Sequence, residues 1–298
     1  MRGGARASGE GRRGLARTIT TMADDLIGTY AIKRLSVHRQ ATIDAFDAVA
    51  SGHRIMGLLE LDVTTARERI EAMRQAGRRV SLFSFVASAI ARTLAEHRAL
   101  NSIRGGRRIL EFEDVDLNLS VELPTPDGPI PQMVVVRRAQ QKDAEQLYAE
   151  IDEAKRRHLQ AGAASRESRW SHALMRGLGW LPRFVRLWAM RRVVGSPLAV
   201  KRWSGTTFVT SVGKFASIPG FVIPFAAGPM ATSFTLGGVV DKPALREGAL
   251  VERGYLSLTM TVSHDIVDGG PAARFAARLQ QLVETADGLP CPDSAASA

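Results

Sequence analysis

Between Leu256 and Ser263 the chain alternates without a break: Leu256, Leu258, Met260 and Val262 against Ser257, Thr259, Thr261 and Ser263. A period of two sends successive side chains to opposite faces of a strand, so the four apolar groups must be covered by another layer. After a short turn the period changes. Pro271 suits a first helical turn, and Ala272, Phe275, Ala276, Leu279, Leu282 and Val283 recur at three- and four-residue spacing, the apolar stripe of a helix. Strand, turn and covering helix confine this region to a sheet with helices packed on it.

The same two periods run through much of the chain. Residues 54–63 read as a strand, and Asp62 or Thr64 can cap a helix to about Gln75 that buries Ala66, Ile70 and Met73. Residues 81–97 carry Phe83, Val86, Ala89, Ile90 and Leu94 at helical spacing. Val115, Leu117, Leu119, Val121 and Leu123 alternate with polar residues, as in a half-buried strand. Thr125, Pro126, Asp127 and Gly128 make a turn, and Ile130–Val136 returns. A helix follows over 142–159, inward through Leu147, Ile151 and Ala154, and Thr206–Val212 and Thr232–Val240 are further strands. Some strands follow as hairpins and others are separated by helices. The expected fold class is therefore α+β, a mixed sheet with packed helices.

A chain of 298 residues with 45% hydrophobic content can bury a core, and 23% charged residues exclude wholesale disorder. Cys291 is the only cysteine, which excludes a disulfide framework and a cysteine-built metal site and fits the reducing cytoplasm. No apolar run approaches the ~20 residues that cross a bilayer. The net charge of +10 is unevenly held: residues 1–21 carry +4, residues 156–203 carry +10, and the remainder is acidic. A nucleic-acid reader spreads basic residues over a folded face, so no nucleic-acid partner is expected. The domain reading is a disordered basic extension over 1–29, a single domain over 30–286 interrupted by a basic, tryptophan-rich insertion at 163–204, and a disordered tail over 287–298.

The residues between the last strand and the last helix, His264-Asp265-Ile266-Val267-Asp268-Gly269, carry chemistry. Strand-to-helix turns are where α/β folds present catalytic groups. Histidine can accept a proton near neutral pH and return it, the carboxylate of Asp268 can turn back to anchor the loop, and Gly269 permits a tight turn. A surface histidine in an Asp- and Gly-rich turn would leave the same pattern.

Leu258–Glu284 resembles the C-terminus of the dihydrolipoyl acyltransferases, the catalytic components of 2-oxoacid dehydrogenase complexes, which end in a strand, an Asp-His-Arg-x-x-Asp-Gly turn and an Ala-Ala-x-Phe helix. Three further stretches resemble that family in its order: Leu35–Arg39 its opening Leu-Ser-x-x-Arg, Val115–Val136 its strand–turn–strand, and Thr207–Phe215 its Thr-Phe-Thr-Ile-Ser-Asn-Leu-Gly-x-Phe stretch. The resemblance spans about residues 30–155 and 204–286, and it implies the chloramphenicol acetyltransferase-like acyltransferase fold, assembled as a homotrimer or a multiple of trimers. It implies acyl transfer between coenzyme A and a thiol such as dihydrolipoamide, with coenzyme A or acyl-CoA as substrate. His264 matches the family base and Ser211 the serine that stabilises the oxyanion. Asp268 matches the carboxylate that holds the turn, with Arg39 as its arginine partner.

Three departures stand beside the match. Ser263 occupies the family's Asp position and Asp265 its Arg position, and the glycine after Ser211 comes one residue early. The 53 residues before the first strand are too few for the family's lipoyl and subunit-binding domains, so the expectation is that the lipoyl group comes in trans on a separate carrier protein or that a different thiol or amine accepts the acyl group. In the insertion, Trp180, Phe184 and Trp188 lie at four-residue spacing among arginines, so a helix from about Pro182 would be amphipathic. Its aromatic stripe would pack against its own fold, against a neighbouring subunit or the acyl site, or, over 170–192, lie peripherally on a membrane. A non-catalytic trimeric scaffold or tethering protein built on the same core is the alternative function.

Overall fold

Six strands form the main sheet of the computed structural model, which describes residues 18–19, 30–31, 35, 37–49, 52–123, 130–161, 181–213, 220–224 and 228–291. The spatial order is β3 (Arg54–Asp62), β10 (Ala249–Ser263), β9 (Thr232–Arg246), β8 (Thr207–Ser211), β6 (Leu117–Leu123) and β7 (Ile130–Val136). β10 pairs antiparallel with both β3 and β9, and β6 with β7, while β8 runs parallel to β6 and β9. The sheet is mixed, as the alternation of hairpins and helical crossovers requires. Two small ladders lie outside it: β1 (Thr18–Ile19) with β2 (Tyr30–Ala31), and β4 (Ser102–Gly105) with β5 (Arg108–Glu111).

Helices cover one face. These are α2 (Thr64–Gln75), α3 (Leu82–Glu96), α4 (Ala144–Ala161) and α7 (Gly269–Glu284). The apolar alternates of β10 meet Phe275, Leu279 and Leu282 of α7 and Phe85, Val86 and Ile90 of α3 in one continuous core. Ser81 caps α3, accepting from the Ser84 N–H while the Ser84 hydroxyl accepts from the Ser81 N–H, a reciprocal cap made with serine at both ends. For α2 the choice between Asp62 and Thr64 resolves differently: Val63 is the N-cap residue, and the Asp62 carboxylate reaches the Thr64 N–H at 3.1 Å.

The opposite face of β10 is buried as well. Ser257, Thr259, Thr261 and Ser263 are all buried, and the Thr259 and Thr261 hydroxyls have no hydrogen-bond partner among the described residues. β9 and β10 also run further than their alternation indicates, as an exposed hairpin arm whose tip residues Glu247 and Gly248 both have positive φ. Residues 241–255 of the arm fall outside the strands that the alternation marks. The arm is held by ladder pairing and by Arg253 and Arg246, which ion-pair with buried Asp62 at its base.

Two further helices belong to the 163–204 insertion, α5 (Arg183–Val194) and α6 (Pro197–Ser204). α5 starts where Pro182 foretells, but it has no buried residue, and Phe184 and Trp188 are 74% and 65% exposed. Of the three placements expected for the aromatic stripe, packing against its own fold is corrected by these exposures, and the helix is not amphipathic, since apolar and arginine side chains are spread around it. Trp170 and Trp180 lie outside the described residues, as do most of 1–29 and the tail after residue 291. α1 (Val37–Val49), α6 and the β4–β5 hairpin are elements the periodicity reading does not find.

Candidate active site

β10 delivers His264. The Ser263 N–H donates to the Ala231 carbonyl at 2.8 Å, the His264 N–H to the His53 carbonyl at 2.9 Å, and the Ser263 carbonyl accepts from Ile266 and Val267, both at 3.0 Å. Val267 drops into the core and fixes the turn. The His264 ring is left half exposed at the rim of the sheet, 48% accessible. Its Nδ1 is 3.6 Å from Asp268 Oδ1, too long for a hydrogen bond, and the Asp268 side chain is 86% exposed.

Asp268 is the N-cap residue of α7 but makes no side-chain capping bond. Gly269 follows as the first helical residue, has no positive φ, and a Cβ there would meet open space, so the turn itself does not demand a glycine. Arg39 is exposed on α1.

Ser211 ends β8 beside Leu236, which in turn pairs with Leu258. Gly213 beyond it is required by close approach, since a Cβ there would lie 2.2 Å from the Gly237 carbonyl oxygen. Leu258 is six positions before His264, about 20 Å along the strand at ~3.3 Å per residue. One chain therefore holds Ser211 and His264 toward opposite ends of the sheet and does not bring them together.

What surrounds His264 is a cluster that periodicity does not reveal. His53 Nδ1 is 2.8 Å from Asp265 Oδ1, and Arg104 Nη1 donates to Asp265 Oδ2 at 2.8 Å. The His53 bond, chiefly, and the Arg104 charge hold the Asp265 carboxyl below its ordinary value against the opposing effect of burial. Arg54 donates to the carbonyls of Met230, at 3.2 Å, and Gly228. Gly52, at φ 120°, makes room: a Cβ there would come within 2.8 Å of Asp265 Oδ2. Asp265 joins partners 212 and 161 positions away, so the only sequence signal was its occurrence where the family carries Arg. Among the described residues, no group of three or more His, Cys, Asp or Glu is placed to hold a metal.

Residues 196–290, which include Ser211, His264, Asp268 and Gly269, match the family described as 2-oxoacid dehydrogenases acyltransferase (catalytic domain). The lipoamide acyltransferase component of the branched-chain alpha-keto acid dehydrogenase complex of Bacillus subtilis is 22% identical over 238 residues, 77% of this chain and 46% of that protein. The chain thus spans about half the length of that curated relative. Among solved structures, the cubic core of the pyruvate dehydrogenase multienzyme complex aligns with a TM-score of 0.62 at 18% identity, over 91% of this chain and 99% of that one. The dihydrolipoamide acetyltransferase of Azotobacter vinelandii aligns with a TM-score of 0.61 at 18% identity, over 87% and 93%. The fold is that of the acyltransferase cores of 2-oxoacid dehydrogenase complexes, and the segment bearing His264 matches their catalytic-domain family.

Proposed function

We propose that the protein transfers an acyl group between coenzyme A and a thiol such as dihydrolipoamide, with His264 as general base and Ser211 as oxyanion donor. The observation that carries this reading is the place of His264, a half-exposed imidazole at the end of a doubly buried strand, inside the segment that matches the acyltransferase family. In the Azotobacter vinelandii enzyme, a serine, a histidine and an asparagine four positions after it were investigated for their roles in the catalytic mechanism. His264 and Asp268 have that spacing here, with a carboxylate in place of the amide.

A thiol is mostly protonated at neutral pH, and the thiolate is the nucleophile. The ring of His264 removes the proton from the attacking thiol, and the sulfur attacks the thioester carbonyl carbon. The resulting oxyanion accepts from the Ser211 hydroxyl, a contact of the kind worth about 3–4 kcal/mol in the transition state. The bond to the departing sulfur then breaks and that sulfur takes up a proton. Since one chain separates Ser211 from His264, the hydroxyl that serves His264 comes from a second copy. A symmetric oligomer supplies such a pairing at each interface, in keeping with a homotrimer.

The test is acyl transfer from a panel of acyl-CoAs to free dihydrolipoamide. His264→Ala is expected to lower kcat by about 10²–10⁴, and Ser211→Ala by about 10²–10³. A wild type inert with every donor, with no heat of coenzyme A binding by calorimetry, would overturn the reading and favour the scaffold.

A further inference from the structure

Two histidines, not one, stand at the rim of the sheet. The antiparallel register pairs Ser263 with Arg54, and one step further it sets His264 opposite His53, with the His264 N–H on the His53 carbonyl at 2.9 Å. Residues directly opposed across an antiparallel pair have Cβ atoms roughly 4.5–5.5 Å apart.

Their surroundings differ. The nearest carboxylate to His264, on Asp268, is beyond hydrogen-bond distance and almost fully exposed. His53 has the opposite arrangement: its Nδ1 is bonded at 2.8 Å to Asp265, a carboxylate only 18% exposed, which Arg104 and the space left by Gly52 hold in place. An ionised carboxylate can only accept, so Nδ1 carries the hydrogen of this bond and donates, which leaves Nε2 as the ring atom available to a second partner. A carboxylate on Nδ1 fixes the tautomer and orientation of an imidazole and supports it with one proton or two. The His53 side chain is 90% exposed, so it contributes little packing, yet a partly buried carboxylate, an arginine and a left-handed glycine are arranged around it. That construction orients a ring rather than filling a core.

We propose that His53, oriented by Asp265, is a second catalytic histidine, the general acid that protonates the departing thiolate. This rests on the acyl-transfer reading above. Thiol-to-thiol transfer moves two protons. The S–H bond of the attacking thiol breaks and an N–H bond forms at His264; the carbon–sulfur bond to the leaving group breaks, and that sulfur takes its proton from Nε2 of His53. The two exposed rings then return to their starting states by exchanging one proton each with water. In the reverse direction the roles exchange. The titratable and charged groups facing the pair are Asp265, Arg104, Arg54 and Asp268.

The experiment compares two acetyl donors, acetyl-CoA and S-phenyl thioacetate, with dihydrolipoamide as acceptor. Thiophenolate is a weak base and departs without a proton, so only the alkyl thiol needs the acid. His53→Gln is expected to lower kcat about 10–10²-fold with acetyl-CoA, KM changing little, and to leave the phenyl thioester rate close to wild type. Asp265→Asn should give the same pattern in weaker form, whereas His264→Ala should fail with both donors. Full activity of His53→Gln toward acetyl-CoA, or equal losses with both donors, would overturn the proposal while leaving His264 in its role. A wild type inert with both donors would instead overturn the acyl-transfer reading itself.

Discussion

Arg186 donates from Nε to Oδ2 of Asp44 at 2.7 Å, joining the insertion helix α5 to α1 through a carboxylate that is 1% exposed. Arg183 adds a second contact to Asp44 and one to Asp47. α5 has no fully buried apolar side chain of its own, and these ion pairs tie it to α1. Removing one partner of a buried pair strands the other charge and costs about 3–5 kcal/mol. Arg186→Ala should therefore destabilise this junction by roughly that much, at the lower end because Arg186 is partly solvated. Limited proteolysis that cuts around α5 in the variant and spares it in the wild type would bear this out; equal protection would not.

The exposed aromatics of the same helix lead to the opposite expectation. Trp188 is 65% exposed, so truncating it removes little buried area. Trp188→Ala should change the stability of the isolated protein by less than about 0.5 kcal/mol in chemical denaturation. A loss of about 2 kcal/mol would mean that the ring packs against another copy or against the chain itself.

Acid should unfold the protein through a few defined carboxylates. Burial pushes Asp116 up, but the Arg138 N–H, Lys201 and Arg137 outweigh it; burial likewise opposes Arg253 and Thr64 at Asp62, and Arg186 and Gln40 at Asp44. All three carboxyls lie below their ordinary value of 3.8 in the folded protein. A depressed value means that the unfolded chain binds the proton more readily. The stabilisation is therefore complete above 3.8 and lost as pH falls through the lower folded values. Thermal stability should be flat from neutrality to about pH 5 and fall steeply below about pH 4. Asp116→Asn should lower neutral stability and flatten that fall. A melting temperature unchanged down to about pH 2.5 would contradict the assignment.

Thr259 and Thr261 carry buried hydroxyls without partners among the described residues. A buried unsatisfied polar group costs about 1–3 kcal/mol, and valine keeps the β-branched shape of threonine. Thr259→Val or Thr261→Val should leave stability unchanged or raise it by about 1 kcal/mol. Destabilisation in the oligomer together with a gain in the monomer would identify hydroxyls that bond across a subunit interface.

Much of this fold is legible in the sequence wherever one face is apolar and the other is not. α3, α7 and the apolar alternates of β10 emerge from spacing alone, because burial imposes the period directly. The β9–β10 arm and the β4–β5 hairpin escape because they are held by ladder bonds and ion pairs, which leave no periodic trace. The site divides in the same way. His264 stands out as the polar end of a strong pattern, whereas Asp265, His53 and Arg104 meet only through contacts spanning much of the chain.

The separation of Ser211 from His264 within one chain yields the sharpest prediction. If each site takes its histidine from one copy and its serine from the next, His264→Ala and Ser211→Ala spoil the same site from different chains. In mixed oligomers, some interfaces receive the intact histidine of one variant and the intact serine of the other. Random mixing in equal amounts should restore about a quarter of the sites to wild type, with the remainder missing one or both groups. Each variant alone should be nearly inactive, and co-refolding the two should recover roughly that fraction of activity toward acetyl-CoA and dihydrolipoamide. Simple mixing without subunit exchange should recover none. Were the co-refolded mixture no more active than the better single variant, the two residues would serve no common site.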